Sequence, residues 1–150
     1  MILGIITARG GSKGLPHKNL YPVAGAPLIY YAIQAAQSSG IFDKLVISTD
    51  SPQIAEVAKG YGVEVPFMRS PDLALDETPH YPVIKEIIDY FGILSDLGDR
   101  INCEYQYAAI IQPTAPCLQK WHWQEAFELL KKNDATSVVS VLPVPELYHP

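Results

Sequence analysis

Tyr107-Ala108-Ala109-Ile110-Ile111-Gln112 reads as a strand whose apolar residues fall on both sides of the pleat. Such a strand is expected to be covered by helices on both faces. Working outward, Leu45-Val46-Ile47-Ser48 and Ile2–Ala8 have the same character, and Val63–Phe67 reads as a further strand. Helical segments alternate with them. Pro27–Ser39 has Pro27 near its first turn and Gly40 placed to end it. Ser51 as N-cap and Pro52 at the first helical position open a helix through Ala58, ending near Gly60 or Gly62. Thr78 and Pro79 open another to about Phe91, and Trp121–Lys132 is the last helix, before a final strand over Ser137–Leu142. Strands alternating with helices predict an α/β fold: a doubly wound, mostly parallel sheet in a three-layer αβα arrangement, Rossmann-like. Residues 1–150 are read as a single domain. Residues 143–150 leave a buried strand with no closing element, so the domain is expected to be incomplete at its C-terminus.

The 150 residues, 48% hydrophobic and 18% charged, suit a globular protein with a sizeable core and argue against disorder. Cys103 and Cys117 form neither a disulfide framework nor a metal-binding spacing, which fits a reducing, cytoplasmic setting. Met1–Ile6 is apolar but lacks a basic start and a cleavage pattern, so no signal peptide is expected. No apolar stretch approaches the roughly 20 residues that span a bilayer. A net charge of −5 disfavours nucleic acid as a partner. Against that background, Arg9, Lys13 and Lys18 crowd into one short loop, which suits a small anion.

That loop, Ala8-Arg9-Gly10-Gly11-Ser12-Lys13-Gly14-Leu15-Pro16-His17-Lys18-Asn19, follows the first strand. In doubly wound sheets ligands bind beyond the carboxyl ends of the strands. Its glycines let backbone N–H groups approach phosphate oxygens, Arg9 can clamp two oxygens, and Lys13 and Lys18 act as point charges. Ser12 adds a hydroxyl donor. The composition meets the needs of a triphosphate. No register supplies a Walker A loop, and Gly10, Gly11 and Gly14 are misplaced for a dinucleotide fingerprint, so an ATPase and a nicotinamide dehydrogenase both lose ground. Elsewhere, Asp50 ends a strand where it could reach a metal, or equally serve as a turn residue. His17 is expected to face solvent and His122 to be structural, while His80 and His149 receive no role. Tyr30, Tyr31 and Phe127 are expected in the core by helical period.

Arg9-Gly10-Gly11-Ser12-Lys13-Gly14-Leu15-Pro16 with Lys18-Asn19 resembles the signature loop of the acylneuraminate cytidylyltransferase family, the CMP-sialic acid synthetases. The resemblance continues in order through Val46-Ile47-Ser48-Thr49-Asp50, Arg69-Ser70-Pro71-Asp72-Leu73-Ala74 and Gln112-Pro113-Thr114-Ala115-Pro116. It covers essentially the whole chain.

The resemblance implies a transferase that joins CMP from CTP to an acidic nonulosonic sugar and releases pyrophosphate. It implies Arg9 and Lys18 as catalytic cations at the α-phosphate and leaving group. Gly10, Gly11, Ser12, Lys13 and Asn19 would contact the nucleotide. Arg69 and the loop to Asp76 would face the base, and Gln112, Pro113 and Thr114 the sugar. Mg2+ is the implied cofactor and a homodimer the implied assembly. The family's metal-binding aspartates follow the His-Pro that matches His149-Pro150, which leaves Asp50 as the candidate ligand within this chain. Leu118 stands where the family commonly has an arginine, and this puts the hold on the acidic sugar in doubt. Two alternatives remain: a non-catalytic nucleotide-binding module, and a related nucleotidyltransferase for another sugar.

Overall fold

A computed structural model describes residues 1–75, 77–92 and 105–141. Among these residues five strands are present: β1 (Ile2–Thr7), β2 (Pro22–Val23), β3 (Ala26–Pro27), β4 (Lys44–Ser48) and β5 (Tyr107–Ile111). Four α-helices accompany them: α1 (Leu28–Ser39), α2 (Pro52–Gly60), α3 (His80–Tyr90) and α4 (Lys120–Lys132). The main sheet has the order β4-β1-β5, with both pairings parallel. β1 is therefore central, with Ile5 opposite Val46 on one side and Ile110 on the other.

The pleat of β1 sorts its side chains between two cores. Ile6 joins Ile29, Ala32 and Ile33 of α1 and Ile54 and Ala58 of α2. Leu3 and Ile5 point the other way and pack with Val46 and with Ile87 of α3. This is the expected helix–sheet–helix layering. On α1 the buried residues Ile29, Ala32, Ile33 and Ala36 follow the helical period, and Gly40 ends the helix at φ 67°. Ser51 caps α2, its Oγ accepting from the Ile54 N–H at 3.4 Å, with Pro52 in the first turn. Close packing also explains Gly4. A Cβ there would overlap Leu45 Cδ2 and press to 3.1 Å from Phe42 and 3.2 Å from Ile111. We expect Gly4→Ala to destabilise the chain by about 1–3 kcal/mol, read from urea unfolding. An unchanged midpoint would mean that Leu45 swings aside freely.

Four sequence expectations need correction. The strand expected over Val63–Phe67 shrinks to a single bridge between Val46 and Glu64, because the next ladder donor falls at Pro66, which has no N–H. Residues 137–141 form no strand. They run exposed, Val139 at 77% and Val141 at 84%, and no described residue pairs with them; Leu142 lies outside the described residues. On β5, Ile111 is buried but Ala108 and Ile110 are exposed, so helices do not cover both of its faces among the described residues. Tyr30, Tyr31 and Phe127 are half-buried, and the aliphatic residues of α1 take the core positions.

A two-stranded hairpin, β2–β3, precedes α1. It turns on Ala24 at φ 45° and Gly25 at φ 90°, the pair of positive φ angles that a tight two-residue loop requires. No described helix is long and apolar enough to cross a membrane.

Candidate nucleotide site

The carboxyl ends of β1, β4 and β5 meet at one edge of the sheet, where a cleft of about 250 Å³ opens. Thr7, Arg9, Gly11, Lys18 and Asn19 line it from the first strand and its loop. Arg69, Leu73 and Leu75 line it from the segment before α3, and Gln112, Pro113 and Thr114 from the end of β5.

The glycine-rich loop is fastened at both ends. At its start the Gly10 N–H donates to Asp50 Oδ1 at 2.8 Å. Room there is short: a Cβ on Gly10 would lie 2.9 Å from Ser51 Cβ. At the far end buried Asn19 donates from Nδ2 to the Arg9 carbonyl at 2.9 Å, which closes the loop on itself. Between these anchors Gly11 has open space where a Cβ would stand. Lys18 opens a short 3-10 helix, Lys18–Leu20, after His17, whose φ of 52° turns the chain. Arg9 reaches across the cleft, its Nη1 donating to the Leu75 carbonyl at 3.2 Å.

Arg69 is 6% exposed, a buried cation and not a solvated one. Its Nε donates to Ser48 Oγ at 2.9 Å, and its Nη2 to the Ser48 carbonyl at 2.6 Å. Its own N–H donates to the Thr49 carbonyl at 2.8 Å, fixing the whole residue to the end of β4. Burial lowers its pKa from the usual arginine value, Asp50 and Glu86 pull it back up, and Arg9 lowers it again. Glu86 has one buried carboxylate oxygen, Oε2, with no hydrogen-bond partner among the described residues.

Of the residues singled out in the sequence, Arg9, Gly11, Lys18, Asn19, Arg69, Gln112, Pro113 and Thr114 meet at the cleft. Ser12 and Lys13 line a shallower depression beside it, with Gly11, Ala74 and Leu75. Gly10 lies behind the loop against Ser51, and Asp76 lies outside the described residues. Asn19 spends its amide on the loop backbone, so its role in the free protein is to shape the loop. Leu73 and Leu75 belong to the loop expected to face the base, and the cleft residues given no role in the sequence are Thr7, Thr78, His80 and Val83. The one available signal was position: His80 begins α3 and Thr78 stands just before it, close to the strand ends. His122 is structural as expected, its Nδ1 accepting from the Gln119 N–H at the start of α4.

The described residues do not fit a metal centre on their own. No three His, Cys, Asp or Glu side chains gather among them. Asp50, the candidate ligand, has Oδ1 engaged by Gly10.

Comparisons with known proteins give the family and the fold. A family model described as Cytidylyltransferase matches residues 3–146. N-acylneuraminate cytidylyltransferase of Oncorhynchus mykiss is 40% identical over 94% of this chain and 30% of its own length. CMP-N,N'-diacetyllegionaminic acid synthase of Legionella pneumophila is 41% identical over 95% of this chain and 58% of its own. Pseudaminic acid cytidylyltransferase of Campylobacter jejuni is 38% identical over 89% of this chain and 54% of its own. The chain thus spans from about a third to rather more than half of the curated relatives it matches. Among solved structures, a CMP:2-keto-3-deoxy-manno-octonic acid synthetase complexed with CTP superposes with a TM-score of 0.70 at 18% identity, over 89% of this chain and 48% of that one. The shared parallel sheet flanked by helices is a nucleotidyltransferase fold of Rossmann type. With its glycine-rich loop, buried Arg69 and cleft at the strand ends, the chain belongs to the cytidylyltransferase family.

Proposed function

We propose that this chain is the nucleotide-binding part of an enzyme that transfers CMP from CTP to an acidic nonulosonic sugar of the sialic-acid type. The observation that carries the reading is the charge of the cleft. Arg9, Lys18 and Arg69 line it and, among the described residues, no carboxylate does, in a chain whose net charge is −5. Such a cleft concentrates a polyphosphate. Relatives named for N-acylneuraminate, pseudaminic and legionaminic acids support an acidic sugar without choosing one.

In the proposed reaction the sugar's anomeric hydroxyl attacks the α-phosphorus in line. A new P–O bond forms, the bond to pyrophosphate breaks, and the leaving group keeps the electron pair while the hydroxyl proton passes to solvent. Arg9 and Lys18 neutralise charge on the α-phosphate and on the departing pyrophosphate, and Gly11 leaves space for the phosphates to approach the backbone. Gln112, Pro113 and Thr114, at the end of β5, are the cleft residues left to face the sugar. Mg2+ is inferred to accompany the triphosphate, where it would supply further positive charge at the phosphates.

Calorimetry with CTP, ATP, GTP and UTP, with and without magnesium, tests the reading. CTP should bind best, and Lys18→Ala should weaken it by at least about 1.4 kcal/mol, a factor of ten. Binding of no nucleotide, or equal binding of all four, would overturn the proposal.

A further inference from the structure

Three consecutive residues at the end of β4 hold two pieces of the cleft, Arg69 and the entrance of the glycine-rich loop. Ser48 takes two donors from the Arg69 guanidinium, and the Thr49 carbonyl takes the Arg69 N–H. Asp50 takes the Gly10 N–H, and Thr49 Oγ1 accepts from the Ser51 N–H, which shapes the turn into α2. We propose that Asp50 is a positioning residue: its carboxylate pins the entrance of the glycine-rich loop to the β4 end, so that Arg9, Gly11 and Arg69 are held in one frame before ligand arrives.

A carboxylate beside a phosphate-binding loop would repel its ligand unless its charge were engaged. Here Oδ1 is engaged by the Gly10 N–H, a charge-assisted bond stronger than a neutral one, and Arg69 attracts the same group. The loop has little freedom to find another seat, because Gly10 already lies against Ser51. Asp50 thus acts on the nucleotide through Gly10 and Arg69, a positioning role distinct from the metal-ligand and turn-residue readings of the sequence.

The test compares the unaltered chain with Asp50→Asn and Asp50→Ala. Asparagine offers an amide oxygen to the same N–H, whereas alanine offers none. Hydrogen exchange at the Gly10 amide, followed by NMR without ligand, should quicken by about tenfold or more in Asp50→Ala and by no more than about threefold in Asp50→Asn. CTP affinity, the arm that rests on the proposed function, should fall about tenfold in Asp50→Ala by the same factor in magnesium and in EDTA, and Asp50→Asn should recover most of it. Unchanged Gly10 exchange in Asp50→Ala would overturn the proposal. So would an equal loss of affinity in both variants confined to magnesium, because the carboxylate would then be an ion ligand. Failure of the unaltered chain to bind CTP would overturn the functional reading alone, and the exchange measurement would still decide the role of Asp50.

Discussion

Arg69→Leu should lower the stability of this chain by about 3 kcal/mol, seen in urea as an earlier midpoint with an unchanged slope. Ser48 is 1% exposed, and its hydroxyl and carbonyl both accept from the guanidinium. Leucine would leave the buried Ser48 hydroxyl without its donor, at about 1–3 kcal/mol, and the Ser48 carbonyl with the Ala8 N–H alone, and the packing leucine supplies offsets part of that. It would also remove the positive charge that faces Asp50 and the buried oxygen of Glu86. In a domain of this size the melting temperature should drop by roughly 6–12 °C. Arg69→Lys keeps the charge but not the planar fork, and should recover less than half of the loss. A loss below about 1 kcal/mol in Arg69→Leu would show that water reaches Ser48.

The second large effect is expected in binding. Gly10→Ala should weaken CTP by about 30-fold or more, while Gly11→Ala should leave the free protein undisturbed. The two glycines are neighbours with opposite surroundings. An alanine methyl at Gly10 would meet Ser51 Cβ at 2.9 Å, and Ser51 caps α2, so the loop must yield and the bond to Asp50 goes with it. At Gly11 a methyl meets nothing within 4 Å in the free chain. Any loss of affinity in Gly11→Ala therefore reports ligand passing close to the backbone there, and unfolding curves keep the two causes apart. Unaltered CTP affinity in Gly10→Ala would mean that the nucleotide does not use the loop in this conformation.

Features set by short-range chemistry were legible in the sequence. Ser51-Pro52 opens α2 and Gly40 closes α1 because caps and left-handed turns depend on a few adjacent residues. The main strands β1, β4 and β5 were legible from apolar runs. Features that depend on distant partners were not. The run over residues 137–141 has strand composition but no described ladder beside it, and Pro66 cuts short the strand after Glu64 for want of an N–H. The β2–β3 hairpin escaped notice because each arm has two residues, too few for periodicity to register. At the site the cations of the glycine-rich loop announced themselves by local density. The burial of Arg69 and the engagement of Asp50 emerge only when β4 is set beside β1. Thr78 and His80 reach the cleft only through the placement of α3, which no local pattern encodes.

The central place of β1 bears on how the chain is made. Its two neighbours are synthesised far apart in time: β4 begins at Lys44, and β5 only at Tyr107, roughly a hundred residues after β1. At 5–20 residues per second, a nascent chain holds β1 with one bare edge for about 3–13 s after β4 has emerged. Through that interval the backbone groups of Ile2–Ile6 that will bond Tyr107–Ile111 are open to pairing with a neighbouring nascent chain. Expression yield should therefore respond to translation rate and to chaperones more strongly than equilibrium stability alone would suggest.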